Sequence, residues 1–184
     1  MLSRLWSLSL LTGCVVHGGE SSWFFEDPLS VDARLSNGSL TVLPAEGEVA
    51  GLWWEGGGVG KPPSVNAEDA HVSFDARGRL AGGDLQIEVP AGTPLVLRLE
   101  HGEIDVELTA PASVDACVAT GELSLRLPAG GYHFDLDVAI GELSTEGLWE
   151  DPSSPYTIRA CTAVGELSLE VSDGATPNAV GSGR

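Results

Sequence analysis

Basic side chains are scarce in this chain of 184 residues, in which nine Lys and Arg stand against 27 Asp and Glu and give a formal net charge of -18. So acidic a protein is repelled by phosphate backbones and by anionic membrane surfaces. The composition therefore argues against nucleic-acid binding and against attachment to a membrane through a basic patch. Cations or a basic partner are the charged partners that it favours.

The sequence also lacks an apolar run long enough to cross a bilayer. The apolar stretch near its start follows a single basic residue, Arg4, and has the length of a secretory leader. Directly after it comes Leu11-Thr12-Gly13-Cys14. These four residues resemble the lipobox of bacterial lipoproteins, in which the cysteine is lipidated and becomes the first residue of the mature chain. The alternative is an ordinary leader with a chance cysteine.

The lipobox resemblance implies that residues 1–13 are a removable signal peptide and that lipid on Cys14 anchors the protein. Val15 after the cysteine resembles lipoproteins sorted to the outer membrane, so we expect the bacterial cell envelope, and the outer membrane in preference to the inner. Residues 14–28 are predicted to be a tether and an aromatic cap. Because neighbouring side chains on a strand face opposite ways, Trp23-Phe24-Phe25 is expected either to cover an open end of the fold or to rest in the membrane interface.

A unit of glycine, carboxylate and aliphatic residue returns along the second half of the chain. Its copies follow one another at steps of 19, 19, 20 and 24 residues and begin at Gly83, Gly102, Gly121, Gly141 and Gly165. Apolar and polar residues alternate around each copy, which is the pattern of β-strands. A period of about 20 residues with two strands in each copy is typical of a stacked coil. We therefore predict an all-β fold, a parallel β-solenoid of about 20-residue repeats with two short strands per turn.

The solenoid is predicted to span residues 29–172. An exposed loop is expected at 55–70, because its glycines and prolines do not suit a central strand. Residues 173–184 offer no apolar face and are predicted to be a disordered tail.

The repeat also carries a family resemblance. The run from Leu85 to Leu95 and the later glycine-acid units are similar to the putative-adhesin family of bacterial envelope proteins, also called toastrack domains. The likeness covers residues 70–172 and, more loosely, 29–55. It implies a β-solenoid on an exported protein, and it implies no catalytic residues.

Stacking the repeats places their carboxylates in one column with neighbours about 4.8 Å apart. The members of this column are Asp84, Glu103, Glu122, Glu142 and Glu166. Carboxylates at that distance repel, so they must splay into solvent, take up protons or hold cations. Solvated side chains are the simplest interpretation. A weak calcium site is the alternative hypothesis, although calcium needs six to eight oxygens around it, and no other cofactor is expected.

Two further pairs of residues stand out. Trp53 and Trp54 are adjacent, so one indole is expected to face outward, either as a neighbour of the following loop or as a flat platform for a sugar or peptide. Cys117 and Cys161 each precede a repeat glycine by four residues. Sequential stacking would place them two steps, about 9.6 Å, apart, which exceeds the reach of a disulfide. We therefore predict unpaired thiols, although an oxidising compartment favours pairing.

The sequence contains no pattern of nucleophile, base and orienting acid that indicates an enzyme. The predicted function is a non-catalytic, lipid-anchored envelope protein whose rigid acidic surface serves adhesion or contacts a protein, a glycan or a sibling chain. The alternative is a structural module that binds divalent cations through its stacked carboxylates.

Overall fold

The computed structural model describes residues 20–56, 63–77 and 82–172. The signal peptide, Cys14 and residues 173–184 lie outside these ranges, so the lipobox and tail predictions stay predictions. All regular structure in the described part of the chain is strand, which confirms the predicted all-β class. Within those ranges no helix has the length and apolarity needed to span a membrane.

Eleven strands join in one mixed sheet across the described residues. They are β1 (Glu20–Glu26), β2 (Ser30–Pro44), β3 (Val49–Gly56), β4 (Ser64–Glu68), β5 (His71–Ala76), β6 (Gly83–Val89), β7 (Leu95–Glu107), β8 (Val114–Leu127), β9 (Gly131–Glu146), β10 (Trp149–Glu150) and β11 (Thr157–Val171). Their order in the sheet is β1-β3-β6-β2-β7-β8-β11-β9-β10, with β5 also beside β2 and β4 beside β5. The central pairs are parallel, whereas β1 with β3, β3 with β6, and β4 with β5 are antiparallel. The expectation of purely parallel strands therefore holds for only part of the sheet.

Chain order and sheet order differ at both ends of the parallel region. Strands β5 and β6 lie beside β2 on the side away from β7 in the strand order, and β11 lies between β8 and β9. Sequential stacking of the repeats is therefore wrong at these two places. The registers nevertheless align every repeat glycine with the next, in the order Gly83, Gly38, Gly102, Gly121, Gly165 and Gly141.

The aligned glycines are corners at which the long strands bend. Gly121 has a φ of +140°, and a Cβ added there would lie 1.7 Å from the carbonyl oxygen of Gly102. That distance is far below any real contact, so no side chain fits at this position. The same overlap recurs along the column, because each later corner is stacked directly against the carbonyl of its neighbour.

Both halves of the bent strands β2, β7, β8 and β11 bury side chains in one hydrophobic cluster, whereas β9 contributes only its first half. In β8 the buried positions before the corner are even-numbered and those after it are odd-numbered, and all are at most 1% exposed: Val114, Ala116, Val118, Leu123, Leu125 and Leu127. The corner therefore reverses which face of the strand points inward, and it lets the two halves share a core. The predicted alternation within each half is confirmed.

Two segments expected to be irregular belong to the sheet. β1 takes residues from the predicted tether, with Trp23 and Phe25 packed against the core and Phe24 60% exposed. β4 lies within the predicted loop 55–70 and pairs with β5, and β3 extends to Gly56. The loop prediction is therefore wrong for Ser64–Glu68 and for residues 55–56. The prolines of this segment, at 62 and 63, precede the strand and so do not interrupt it.

Cys117 and Cys161 form a disulfide, with their Cα atoms 4.6 Å apart. They lie directly opposite each other because β11 is the immediate neighbour of β8. The prediction of unpaired thiols is therefore wrong. It assumed that β9 separates the two cysteines, whereas the inserted β11 shortens their separation to a single strand spacing.

The Gly121→Ala variant is expected to lose more than about 3 kcal/mol of unfolding free energy. Alanine would have to adopt a positive φ, and its methyl group would overlap the carbonyl oxygen of Gly102. Gly130→Ala is the matched control, since its nearest contact would be 3.7 Å away; we expect it to change stability by less than about 1 kcal/mol. Urea unfolding followed by tryptophan fluorescence measures both. Equal stability of the two variants would contradict the stacked-corner geometry.

Replacing both cysteines, Cys117→Ser with Cys161→Ser, is expected to cost up to about 4 kcal/mol in the chain-entropy treatment of a 44-residue separation. A reductant should lower the unfolding midpoint of the parent protein and leave that of the double variant unchanged. Thiol labelling of the denatured, unreduced parent is the direct check. Labelling at both positions would show that the bond is absent.

Candidate functional site

The residues that follow the corner glycines lie in one line across the sheet, which continues onto β3 and β1 and which we call the acid row. In sheet order it contains Glu20, Glu55, Asp84, Ser39, Glu103, Glu122, Glu166 and Glu142. The structure thus brings the five predicted carboxylates into one row, but Ser39 separates Asp84 from Glu103, and Glu166 precedes Glu142. Ser39 Oγ donates a hydrogen bond of 2.6 Å to Asp84 Oδ1.

Glu20 and Glu55 also belong to the row, although they lie outside the five predicted repeat units. Both lie on strands of the antiparallel end, β1 and β3. On β3 the repeat unit reads backwards as Trp54-Glu55-Gly56, with Glu55 opposite Asp84 and Gly56 opposite Gly83. Tryptophan stands here in place of the aliphatic residue, so only a search for reversed acid-glycine pairs would have included this strand.

The acid row does not gather into a metal centre. Among the residues that the structure describes, no three His, Cys, Asp or Glu side chains form a set that would hold a metal ion. Strand spacing keeps the carboxylates in a line, and six to eight oxygens around one point are what calcium needs. The calcium hypothesis gains no support from this geometry and stays a prediction.

A second row of mostly polar side chains runs beside the acid row, on the same outer face of the sheet. In sheet order it contains Ser22, Trp53, Gln86, Thr41, Asp105, Ser124, Ser168 and Ser144. Trp53 therefore stands as a large aromatic ring among hydroxyl, amide and carboxylate groups.

The two adjacent tryptophans face opposite sides of β3, as predicted. Trp54 is 7% exposed and packs against Phe74, with ring centroids 5.4 Å apart. Trp53 is half-buried and points outward. The six-membered end of its indole lies over Gly51, where an added Cβ would come within 2.1 Å of the ring, and Phe24 meets it edge to face at 5.5 Å. The absent side chain of Gly51 and the ring of Phe24 thus fix the indole in place.

A groove of about 450 Å³ lies at this end of the sheet, and we call it the Trp53 groove. Strands β1, β3, β6 and β2 line it, and its walls include Trp53, Glu55, Asp84, Gln86 and Ser39. The groove therefore brings together Trp53, the predicted aromatic platform, and Asp84, the first carboxylate of the predicted column. The groove thus combines an aromatic surface with a few convergent polar groups, which is typical of small-ligand sites.

The arginines near the disulfide do not offer a comparable site for an anion. Arg34, Arg77 and Arg98 line a second hollow there, but each is engaged by an aspartate in an ion pair. The hydrogen bond from Arg77 lowers the pKa of Asp75, against the opposing effect of burial. Because these cations already have anionic partners, the outer face attracts anionic ligands weakly.

No family model and no curated protein sequence matches the chain. Among solved structures, the chain is similar to a putative cell adhesion protein from Clostridium sporogenes, with a TM-score of 0.46, 10% identity, and 83% of this chain and 99% of that chain covered. It is also similar to putative adhesins from Parabacteroides distasonis (TM-score 0.26, 8% identity, 84% and 98% covered) and Parabacteroides merdae (0.26, 10%, 84% and 97%). At these scores and identities the likeness carries no argument about function.

Proposed function

We propose that this chain is a non-catalytic recognition protein of the bacterial cell envelope that binds a glycan in the Trp53 groove. The observation that carries the proposal is the meeting of Trp53 with Glu55, Asp84 and Gln86 in one concave site. Proteins place a few polar groups around an aromatic surface when they bind small ligands, and tryptophan is enriched where binding energy concentrates.

Each group in the groove has a role toward a sugar ring. The face of Trp53 packs against the C–H groups of the ring, while the carboxylates of Glu55 and Asp84 accept hydrogen bonds from its hydroxyls. The amide of Gln86 both donates and accepts. Because Glu20 also lines the groove, the site favours neutral sugars or amino sugars and disfavours anionic ones.

The groove is suited to binding because its walls are strands. Ser39 orients the Asp84 carboxylate, and Phe24 and Gly51 hold the indole. A site that is fixed before the ligand arrives loses less conformational entropy on binding. We regard the parallel strands as a solenoid-like body in which the strand order departs from the chain order at both ends. This body supplies the rigidity of the groove.

The lipid anchor proposed on Cys14 places the groove close to a membrane. Strand β1 begins at Glu20 and lines the groove, and six backbone steps from Cys14 reach at most about 22 Å. A ligand within the protein's own envelope therefore fits this arrangement better than one on a distant surface. The outer membrane, in preference to the inner, remains the proposed location.

The alternative of a divalent-cation module rests on the acid row alone. No arrangement of the described carboxylates favours it. It makes a different experimental prediction, because binding would then depend on calcium and not on Trp53.

The Trp53→Ala variant is expected to weaken binding of the best ligand at least tenfold, which is about 1.4 kcal/mol. The ligand is first selected from an array of neutral and amino-sugar oligosaccharides, and its affinity is then measured by titration calorimetry. Trp149→Ala is the matched control, because Trp149 is 56% exposed and lies on β10 at the other end of the sheet.

Three results would count against the glycan proposal. One is that the parent protein binds nothing on the array. Another is that both tryptophan variants lose the same affinity. Loss of binding in EDTA with no effect of Trp53→Ala would support the cation module in its place.

A further inference from the structure

Among the described residues, β9 is the last long strand of the sheet, and most of its outer edge has no described strand beside it. β10 covers only Gly131 and Tyr132. In the described part of the chain, no strand pairs with β9 on that side beyond Tyr132. We call the stretch from Phe134 to Ile140 the β9 edge.

The hydrogen bonds show which backbone groups point to the open side. His133 N donates to Tyr156 O, toward β11, at 3.0 Å, whereas Phe134 N donates to the Glu150 carboxylate on the other side at 3.1 Å. Alternate residues of a parallel strand direct their N–H and C=O groups to opposite neighbours. Leu136 and Val138 therefore present their backbone donors and acceptors at the open edge.

The inward side chains of β9 also lack a neighbour on that side. Phe134 is only half-buried, although Ile158, its partner on β11, is fully buried. Leu143 was predicted to face the core and is 50% exposed, whereas its partner Leu167 is 1% exposed. A strand that pairs with the β9 edge would cover Phe134, and one that continued past Gly141 would also cover Leu143.

Two outward side chains of the β9 edge are acidic. Asp135 and Asp137 alternate with the apolar residues and are exposed. Arg159 on β11 already bonds Asp135 at 2.8 Å, which shows the kind of cross-strand partner that this face accepts. A second copy of this chain, with its own net charge of -18, would place acidic side chains opposite these aspartates. The complementary partner is therefore a basic strand.

We propose that the β9 edge binds an extended basic segment of a partner protein, which adds one strand to the sheet. Apolar residues of the segment cover Phe134, Leu136 and Val138, and Lys or Arg residues between them meet Asp137. The open stretch measures about 20 Å, the length of an ordinary strand. Strand addition of this kind takes affinity from backbone hydrogen bonds and specificity from alternate side chains. The site is separate from the Trp53 groove, which lies at the opposite end of the sheet.

The test uses the peptide Lys-Val-Lys-Val-Lys-Ile-Lys-amide with fluorescein on its N-terminus, and it measures fluorescence anisotropy at physiological salt with the full chain. Asp137→Lys is expected to weaken binding at least fivefold, and Leu136→Pro, which removes an edge donor, more than tenfold. Glu48→Lys is the matched control, because it makes the same charge change in an exposed turn outside the β9 edge; it should change affinity less than twofold.

A second probe leaves the protein unaltered. The same peptide with N-methyl groups on alternate backbone nitrogens is expected to lose binding, because it cannot complete the strand ladder. This arm decides the matter where Leu136→Pro fails to fold.

Several results would overturn the proposal. One is that the unmodified peptide fails to bind, and another is that the N-methylated peptide binds equally well. A third is that Glu48→Lys weakens binding as much as Asp137→Lys. Binding that occurs only after removal of residues 173–184 would assign the edge to the chain's own C-terminus. A dimer in solution that Leu136→Pro dissociates would assign it to a second copy.

Discussion

The close stacking of glycine on glycine is the constraint on which the rest of this structure depends. Each corner residue lies against the carbonyl of the next, so near that even a methyl group has no room, as at Gly121 and Gly102. The corner turns both halves of a strand toward one core. The residue after the glycine is then directed outward in every copy, and the acid row follows. The charged surface is thus a consequence of how the backbone packs.

The repeat predicted the strands, their inward positions and the alignment of the corners, because all of these follow from local alternation and from glycine's tolerance of a left-handed φ. It did not predict the strand order. Every copy presents the same register, so local alternation does not distinguish β9 from β11 as the neighbour of β8. Two features of the sequence indicated the exchange: the longest step in the repeat, 24 residues, precedes Gly165, and the cysteines occupy equivalent positions in two copies. The longer connection lets the chain pass β9, and the disulfide joins the strands that result.

The candidate site was predictable only as separate parts. Alternation on β3 predicted that one of Trp53 and Trp54 faces outward, and the repeat predicted the position of Asp84. Their meeting depends on β3 running antiparallel to β6, which places Trp53 opposite Gln86 and Glu55 opposite Asp84. Long-range pairing of this kind is not encoded in local alternation. The reversed unit Trp54-Glu55-Gly56 was nevertheless present in the sequence, and it shows that a repeat should be read in both directions.

The strand order is tested most directly by cysteine pairs at three serines of one row, Ser124, Ser144 and Ser168, introduced two at a time into the chain and oxidised. Cross-links are expected for Ser124→Cys with Ser168→Cys and for Ser144→Cys with Ser168→Cys, because β11 lies between β8 and β9. None is expected for Ser124→Cys with Ser144→Cys. Peptide mapping by mass spectrometry identifies the bonds. A cross-link between positions 124 and 144, together with none between 124 and 168, would contradict the account and restore sequential stacking.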